Sequence, residues 1–367
     1  MGVQPKVSFV KHIILIMLGL FFVVGTLENT YLFTKITVFS SLRYLSPLTA
    51  MVASGLALSC LDLTSPTTRL GILLLLIAGL FLPGHRFAYL ILIYTIPIIG
   101  WRHFFSLNLI CTSLTTLCIV LLLSPWGSHN VYNPVMGHWK LSLGFNNPNT
   151  LGLICLIILL ETLLLKYYLN PYRFWGLVAT FSLLLGLSDS RTAILCYLIF
   201  LIFQFCQIGV RLLHLSIIKG FAATMPFVNL IISLIFTYWL KLAHGHLITG
   251  FDQEMSNRWR QAVKFINYHG FSVLGQSLNV SSHNALDSGY IYLLLSCGIL
   301  ATIIFLALLA ITIYRLLEHQ YFQLVIPLLI MCLYGLSEGS FFSLHSNPFL
   351  VLLAILILNK DQLNEKI

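Results

Sequence analysis

The sequence predicts an all-α protein, a polytopic membrane helical bundle of about a dozen spans (11 or 12), on three observations. Only 8% of the 367 residues are charged, against roughly 25% in soluble domains. Hydrophobic residues make up 58%, with a mean hydropathy of +0.93. The apolar residues also fall in successive runs near the length of about 20 that crosses a bilayer. A charge at mid-depth costs about 2.5–3.5 kcal/mol on insertion scales, so a lipid-facing surface explains the missing charges. One integral membrane domain over 1–367 is expected, since these runs replace the two or three soluble domains that length alone suggests.

Spans are expected near 11–27, 44–61, 68–83, 87–100, 104–124, 149–168, 174–189, 191–210, 218–240, 287–314, 321–337 and 341–358. The run after Lys6 and Lys11 shows no small-x-small cleavage site and reads as the first span. The eight cysteines all sit in apolar runs, with no CxxC or CxxH spacing, and read as small helix fillers. Two longer connections, 125–148 and 241–286, fall on the same side of the membrane. With the amino terminus inside, 11 of the 20 Lys+Arg are inner, among them Lys11, Arg102, Lys166 and Arg173. The positive-inside bias is weak. The excess of 20 Lys+Arg over 11 Asp+Glu fits anionic partners, lipid head groups or phosphate-bearing substrates. Nucleic acid is excluded as a partner, because no basic run is interleaved with aromatics in a soluble module.

Chemistry is sought where polar residues interrupt the apolar pattern. Asp189-Ser190-Arg191 stands between two runs. Asp189 or Ser190 is expected to cap a helix starting near Arg191, whose free N–H groups and guanidinium suit a phosphate. The plainer reading is a local Asp189–Arg191 pair anchoring a turn. In the long loop, Trp259, Ala262, Val263 and Ile266 follow helical spacing, with Ser256 or Asn257 as cap. A short amphipathic helix on the outer membrane face is expected. Arg260 and Lys264 share a face, whereas Arg258 lies about 200° from Arg260, so the two arginines serve different surroundings. The plainer reading is a basic interfacial helix holding head groups.

Asp287 stands where a membrane helix begins, a costly position that suits either an N-cap or a general base on a sugar hydroxyl. His283 is the rival base, and Tyr290 follows in the same motif. Before the sixth span, Asn149 or Thr150 is expected as cap, with Pro148 ending the loop. Asn146 and Asn147 are candidates for sugar hydroxyls. His244 and His246 do not have a metal spacing, and neither metal nor cofactor is expected.

In order, Phe145-Asn146-Asn147-Pro148-Asn149-Thr150, Ser188-Asp189-Ser190-Arg191-Thr192-Ala193, Arg258-Trp259, Leu274-Gly275 and Asp287-Ser288-x9-Gly298 resemble the O-antigen ligase/polymerase (Wzy-like) family over roughly 140–315. The resemblance implies a bacterial plasma-membrane enzyme with a GT-C-like helical fold, a cytoplasmic amino terminus and an extracytoplasmic active site. It implies metal-independent transfer of a glycan from an undecaprenyl-diphosphate carrier to a sugar hydroxyl. Chain-length regulator and flippase proteins are the implied protein partners. By position Arg191 and Arg258 are then expected to hold the donor diphosphate. Ligases of the family commonly show His-Asn-x9-Gly; Asp287-Ser288 occupies that spacing here, which points to the polymerase branch. His283-Asn284 has the ligase residues at the wrong spacing. A transporter of lipid-linked glycan is the competing class, and it predicts polar or broken helices at mid-membrane.

Overall fold

The computed structural model describes residues 5–35, 44–61, 89–133, 137–205, 213–242, 258–278, 286–339 and 341–358. The expected span at 68–83, the caps Ser256 and Asn257, and His244, His246, His283 and Asn284 lie outside the described residues. The chain is mostly helical, and its described residues divide into two compact units, one running from 5 to 202 with 358 and the other from 203 to 357. Among the described residues, four helices are long and apolar enough to cross a membrane: Ser8–Leu27, Trp101–Leu123, Ser216–Trp239 and Gly289–Glu318. Four shorter apolar helices accompany them, Leu45–Cys60, Pro148–Leu164, Arg191–Gln204 and Phe322–Tyr334. The protein is therefore an all-α membrane protein.

In the first unit, α1 (Pro5–Leu27) packs on α2 (Leu45–Cys60) and on α3 (Trp101–Cys118). α3 continues as a π-helical turn over Ile119–Leu123. α4 (Pro148–Leu164) packs on α5 (Pro171–Ser188), and α6 (Arg191–Phe205) follows after a two-residue turn. Deep between α3 and α4, the Asn108 amide donates to Glu161 at 2.6 Å, and Asn108 in turn accepts from Thr112. Side-chain amides and hydroxyls of this kind tie apolar helices together in lipid. The 125–148 connection contains a small antiparallel hairpin, Val131–Asn133 against His138–Lys140, with Tyr132 opposite Trp139. Backbone bonds join this connection to the ends of two helices: Asn146 donates to Asn29, and Leu141 donates to Leu187.

In the second unit, α7 (Ser216–Leu242) packs on α8 (Arg258–His269) and on α9 (Gly289–Glu318), and α10 (Phe322–Tyr334) lies against both α7 and α9. The expected last span, 341–358, is instead a set of turns followed by a nine-residue 3-10 helix, Pro348–Leu356. The cause is local. The Asn347 side chain donates back to the Phe341 carbonyl, and Pro348 supplies no N–H to continue a helix from before it.

α9 is not continuous. At Gly298 the backbone leaves helical geometry (φ 86°, ψ 169°). The groups freed there are taken up by the preceding loop: Gln276 donates to the Ser296 carbonyl, and Ile299 and Leu300 donate to Ser272 and Val273. Two glycines make the approach possible. A Cβ on Gly298 would lie 2.3 Å from the Gly275 nitrogen, and one on Gly275 would lie 2.4 Å from the Ser296 oxygen. Irregular backbone inside an apolar helix persists only where protein satisfies its polar groups.

Candidate functional site

The site in the second unit is built from three segments far apart in sequence. α8 buries Trp259, Ala262 and Ile266, leaving Arg260 and Lys264 exposed. Trp259 stacks on Phe236 of α7 at 4.8 Å, and Ala262 and Ile266 join Leu286, Ile291 and Leu295 in one apolar cluster. This seating turns Arg258, the first residue of α8, inward, where it is only 7% exposed. Arg258 and Arg260 thus do face different surroundings, as their helical offset requires.

The second and third segments are pressed together by glycine. The Gly289 N–H donates to Gly335 at 3.0 Å, and a Cβ on Gly289 would lie 2.6 Å from the Glu338 carbonyl oxygen. Backbone can come that close only without a side chain. Asp287 and Glu338 are thereby held beside each other, with Arg258 between them. Arg258 Nη2 stands 2.7 Å from Glu338 Oε1, and its Nε stands 3.7 Å from Asp287 Oδ2. Its Nη1 donates to the Ser337 carbonyl.

The electrostatics follow from two acids sharing one guanidinium. Burial pushes the Glu338 carboxyl up to about 6, with Arg258 opposing and Asp287 adding to the rise. Burial also raises Asp287, and Arg258 offsets part of this. Asp287 is the more open acid, with its side chain 34% exposed. The cluster is neutral with one proton on its acids, and Glu338, the more enclosed, is the better holder of that proton. The N-cap position of α9 belongs to Ser288, which makes no side-chain cap bond. Asp287 is therefore an ion-pair partner of Arg258, not the helix cap that its position also suited.

Tyr290 is fully buried. Its hydroxyl donates to the Cys332 carbonyl and accepts from Asn229, and its ring lies over Phe341. That hydroxyl is committed to joining α7, α9 and α10.

In the first unit, Asp189 closes α5 in the left-handed conformation (φ 46°), and of the two expected caps it is Ser190 that stands before α6, its carbonyl accepting from the Ile194 N–H. The Asp189 carboxylate pairs with Lys140 of the hairpin at 3.2 Å, and Lys140 also donates to the Asp189 carbonyl. Arg191 is the first residue of α6. The cap of α4 is Asn147, accepting from the Asn149 N–H at 2.9 Å, with Pro148 at the first helical position. The expected cap, Asn149 or Thr150, falls two or three residues too late, because proline fits the first helical position, where no N–H is needed. Asn146 and Asn147 therefore lie in the same short connection as the Asn29 contact, Asn147 exposed.

Glu338 was not among the residues singled out by sequence. The available signal was a carboxylate standing between two apolar runs, a placement that demands a partner. Among the described residues, no group of three or more His, Cys, Asp or Glu stands where it could hold a metal ion. No family model matches the chain, no curated protein matches it, and no solved structure matches its fold.

Proposed function

We propose that the chain is a bacterial polysaccharide repeat-unit polymerase of the O-antigen ligase/polymerase (Wzy-like) type, with a GT-C-like fold. It would act at the extracytoplasmic face of the plasma membrane on an undecaprenyl-diphosphate-linked oligosaccharide. The observation that carries this reading is the Arg258–Asp287–Glu338 cluster just ahead of an apolar helix. It supplies one guanidinium for a phosphate and one partly open carboxylate for a hydroxyl proton.

The reaction would proceed at the anomeric carbon of the donor. The acceptor hydroxyl oxygen attacks it, the bond from carbon to phosphate oxygen breaks, and the electron pair leaves with the carrier diphosphate. Asp287 takes the hydroxyl proton as general base. Arg258 orients Asp287 before the donor arrives and then offers N–H groups to the diphosphate. For that exchange a carboxylate must give way, and Glu338 does so cheaply by holding a proton near pH 6. The sequence resemblance also implies a donor-phosphate role for Arg191, which predicts that Arg191→Lys lowers polymer output nearly as much as Arg191→Ala, since lysine lacks the planar fork.

A strain lacking the chain, complemented by Asp287→Asn or Arg258→Ala, tests the proposal by glycan analysis. The expected result is accumulation of single lipid-linked repeat units with loss of long polymer. Normal polymer from both variants would remove the reading. Loss of glycan transfer onto a different acceptor, with polymer intact, would make the chain a ligase. Transport of a lipid-linked glycan is supported by one observation, the break of α9 at Gly298, since interrupted helices are common in transporters. Repeat units trapped on the cytoplasmic leaflet would decide for it.

A further inference from the structure

We propose that the end of the first unit where α1, α3 and α5 begin is a binding surface for anionic phospholipid headgroups, centred on Arg102. It stands apart from the glycan-transfer reading and from the residues that carry it. The opposite end of this unit is marked by the backbone bonds of Asn29 and Leu187 to the 125–148 connection. At this end the chain enters α3 through Trp101 and Arg102, and crosses from α4 to α5 through Lys166-Tyr167-Tyr168 and Tyr172-Arg173.

The Arg102 guanidinium lies over the Tyr168 ring at 4.5 Å and beside the Trp101 ring at 5.6 Å. Stacking holds the guanidinium flat while leaving its in-plane N–H donors free to take two phosphate oxygens. Lys166 is held in the same way over Tyr167, at 4.7 Å. Arg173 is exposed in the first turn of α5, and Lys11 stands near the start of α1, which packs on α3. No acidic residue occurs in α1, in α3 or over 165–175, so these cations are not neutralised within their own segments. A cationic face of this kind calls for an anion.

The rings say which anion. Tyr172 is 88% exposed and Trp175 63% exposed, beside the basic residues. Amphipathic rings in that setting sit at the boundary between acyl chains and headgroups. A free anion would use the cations and leave the rings without a role. A lipid phosphate uses both, its acyl chains lying along the apolar helices.

The full chain in detergent is titrated with phosphatidylglycerol, phosphatidylcholine or inorganic phosphate, and binding is read by native mass spectrometry and thermal shift. Phosphatidylglycerol is expected to bind in preference to phosphatidylcholine, and inorganic phosphate to give no shift. Each basic residue near a membrane surface adds about fivefold, so Arg102→Ala/Lys166→Ala/Arg173→Ala should lower the preference by roughly 100-fold. Arg102→Lys/Arg173→Lys should keep most of it. An unchanged preference in the triple alanine variant, or an equal shift with inorganic phosphate, would overturn the proposal. Polymer analysis of the Asp287 and Arg258 variants stays a separate readout, so the two readings fail independently.

Discussion

Arg258 and Arg102 are the same side chain in opposite circumstances. Arg258 is enclosed, with carboxylates on two sides and a carbonyl on a third. Arg102 is exposed, lies on aromatic rings and has no acid in its segment. The difference follows from solvation. A buried guanidinium is tolerable only when nearby acids offset its desolvation, and it then becomes part of the structure. A guanidinium at an interface keeps its donors available without any acid having to give way first. The difference teaches that an arginine in a membrane protein is read by its acids and its exposure before its position in a motif.

The largest test of this contrast is Arg258→Ala. It leaves two enclosed acids facing each other, and removing one partner of a buried ion pair costs about 3–5 kcal/mol. Thermal unfolding should fall sharply, while Arg102→Ala in the same assay should barely move. Equal losses would erase the distinction. Next, Asp287→Asn keeps the shape but removes the proposed base, so polymer synthesis should drop by about 10²-fold or more. Folding should suffer less than in Arg258→Ala.

Glu338→Gln sharpens the comparison through pH. Its folded-state value of about 6 stands above the ordinary 4.5. The acid thus binds its proton more tightly when folded, and its contribution is full below about pH 4.5 and lost as pH rises through 6. The wild-type chain should lose about 2 kcal/mol across that window. Glu338→Gln should flatten the loss; an unchanged slope would show that the proton resides elsewhere. The smallest effect is expected from Arg173→Ala, within about 0.5 kcal/mol in stability, as for exposed substitutions. Its consequence should appear only in lipid preference.

What could be read from the sequence was what repeats locally. The apolar runs mark α1, α2, α7 and α9 to within a few residues, and the two-residue offset of Arg258 from Arg260 separates their faces. Contacts between distant segments left no such trace. Glu338 lies 80 positions beyond Arg258, and nothing in the periodicity of either segment pairs them. The break at Gly298 was hidden for a related reason. It stands in a largely apolar run, and both its positive φ and the approach of Gly275 from another segment, which make the glycine necessary, appear only in the folded chain. The last expected span failed because one amide, Asn347, competes with the helix for a carbonyl.

The meeting of Gly275 and Gly298 has a genetic consequence. Gly298 leaves the space that the Gly275 backbone fills, and Gly275 leaves the space filled by the Ser296 and Cys297 backbone, so a methyl group at either position forces the loop off the helix. Neither can drift alone. Among descendants of a common ancestor the pair should be kept together or lost together, and a single substitution should be rescued only by rebuilding both strands of the seam.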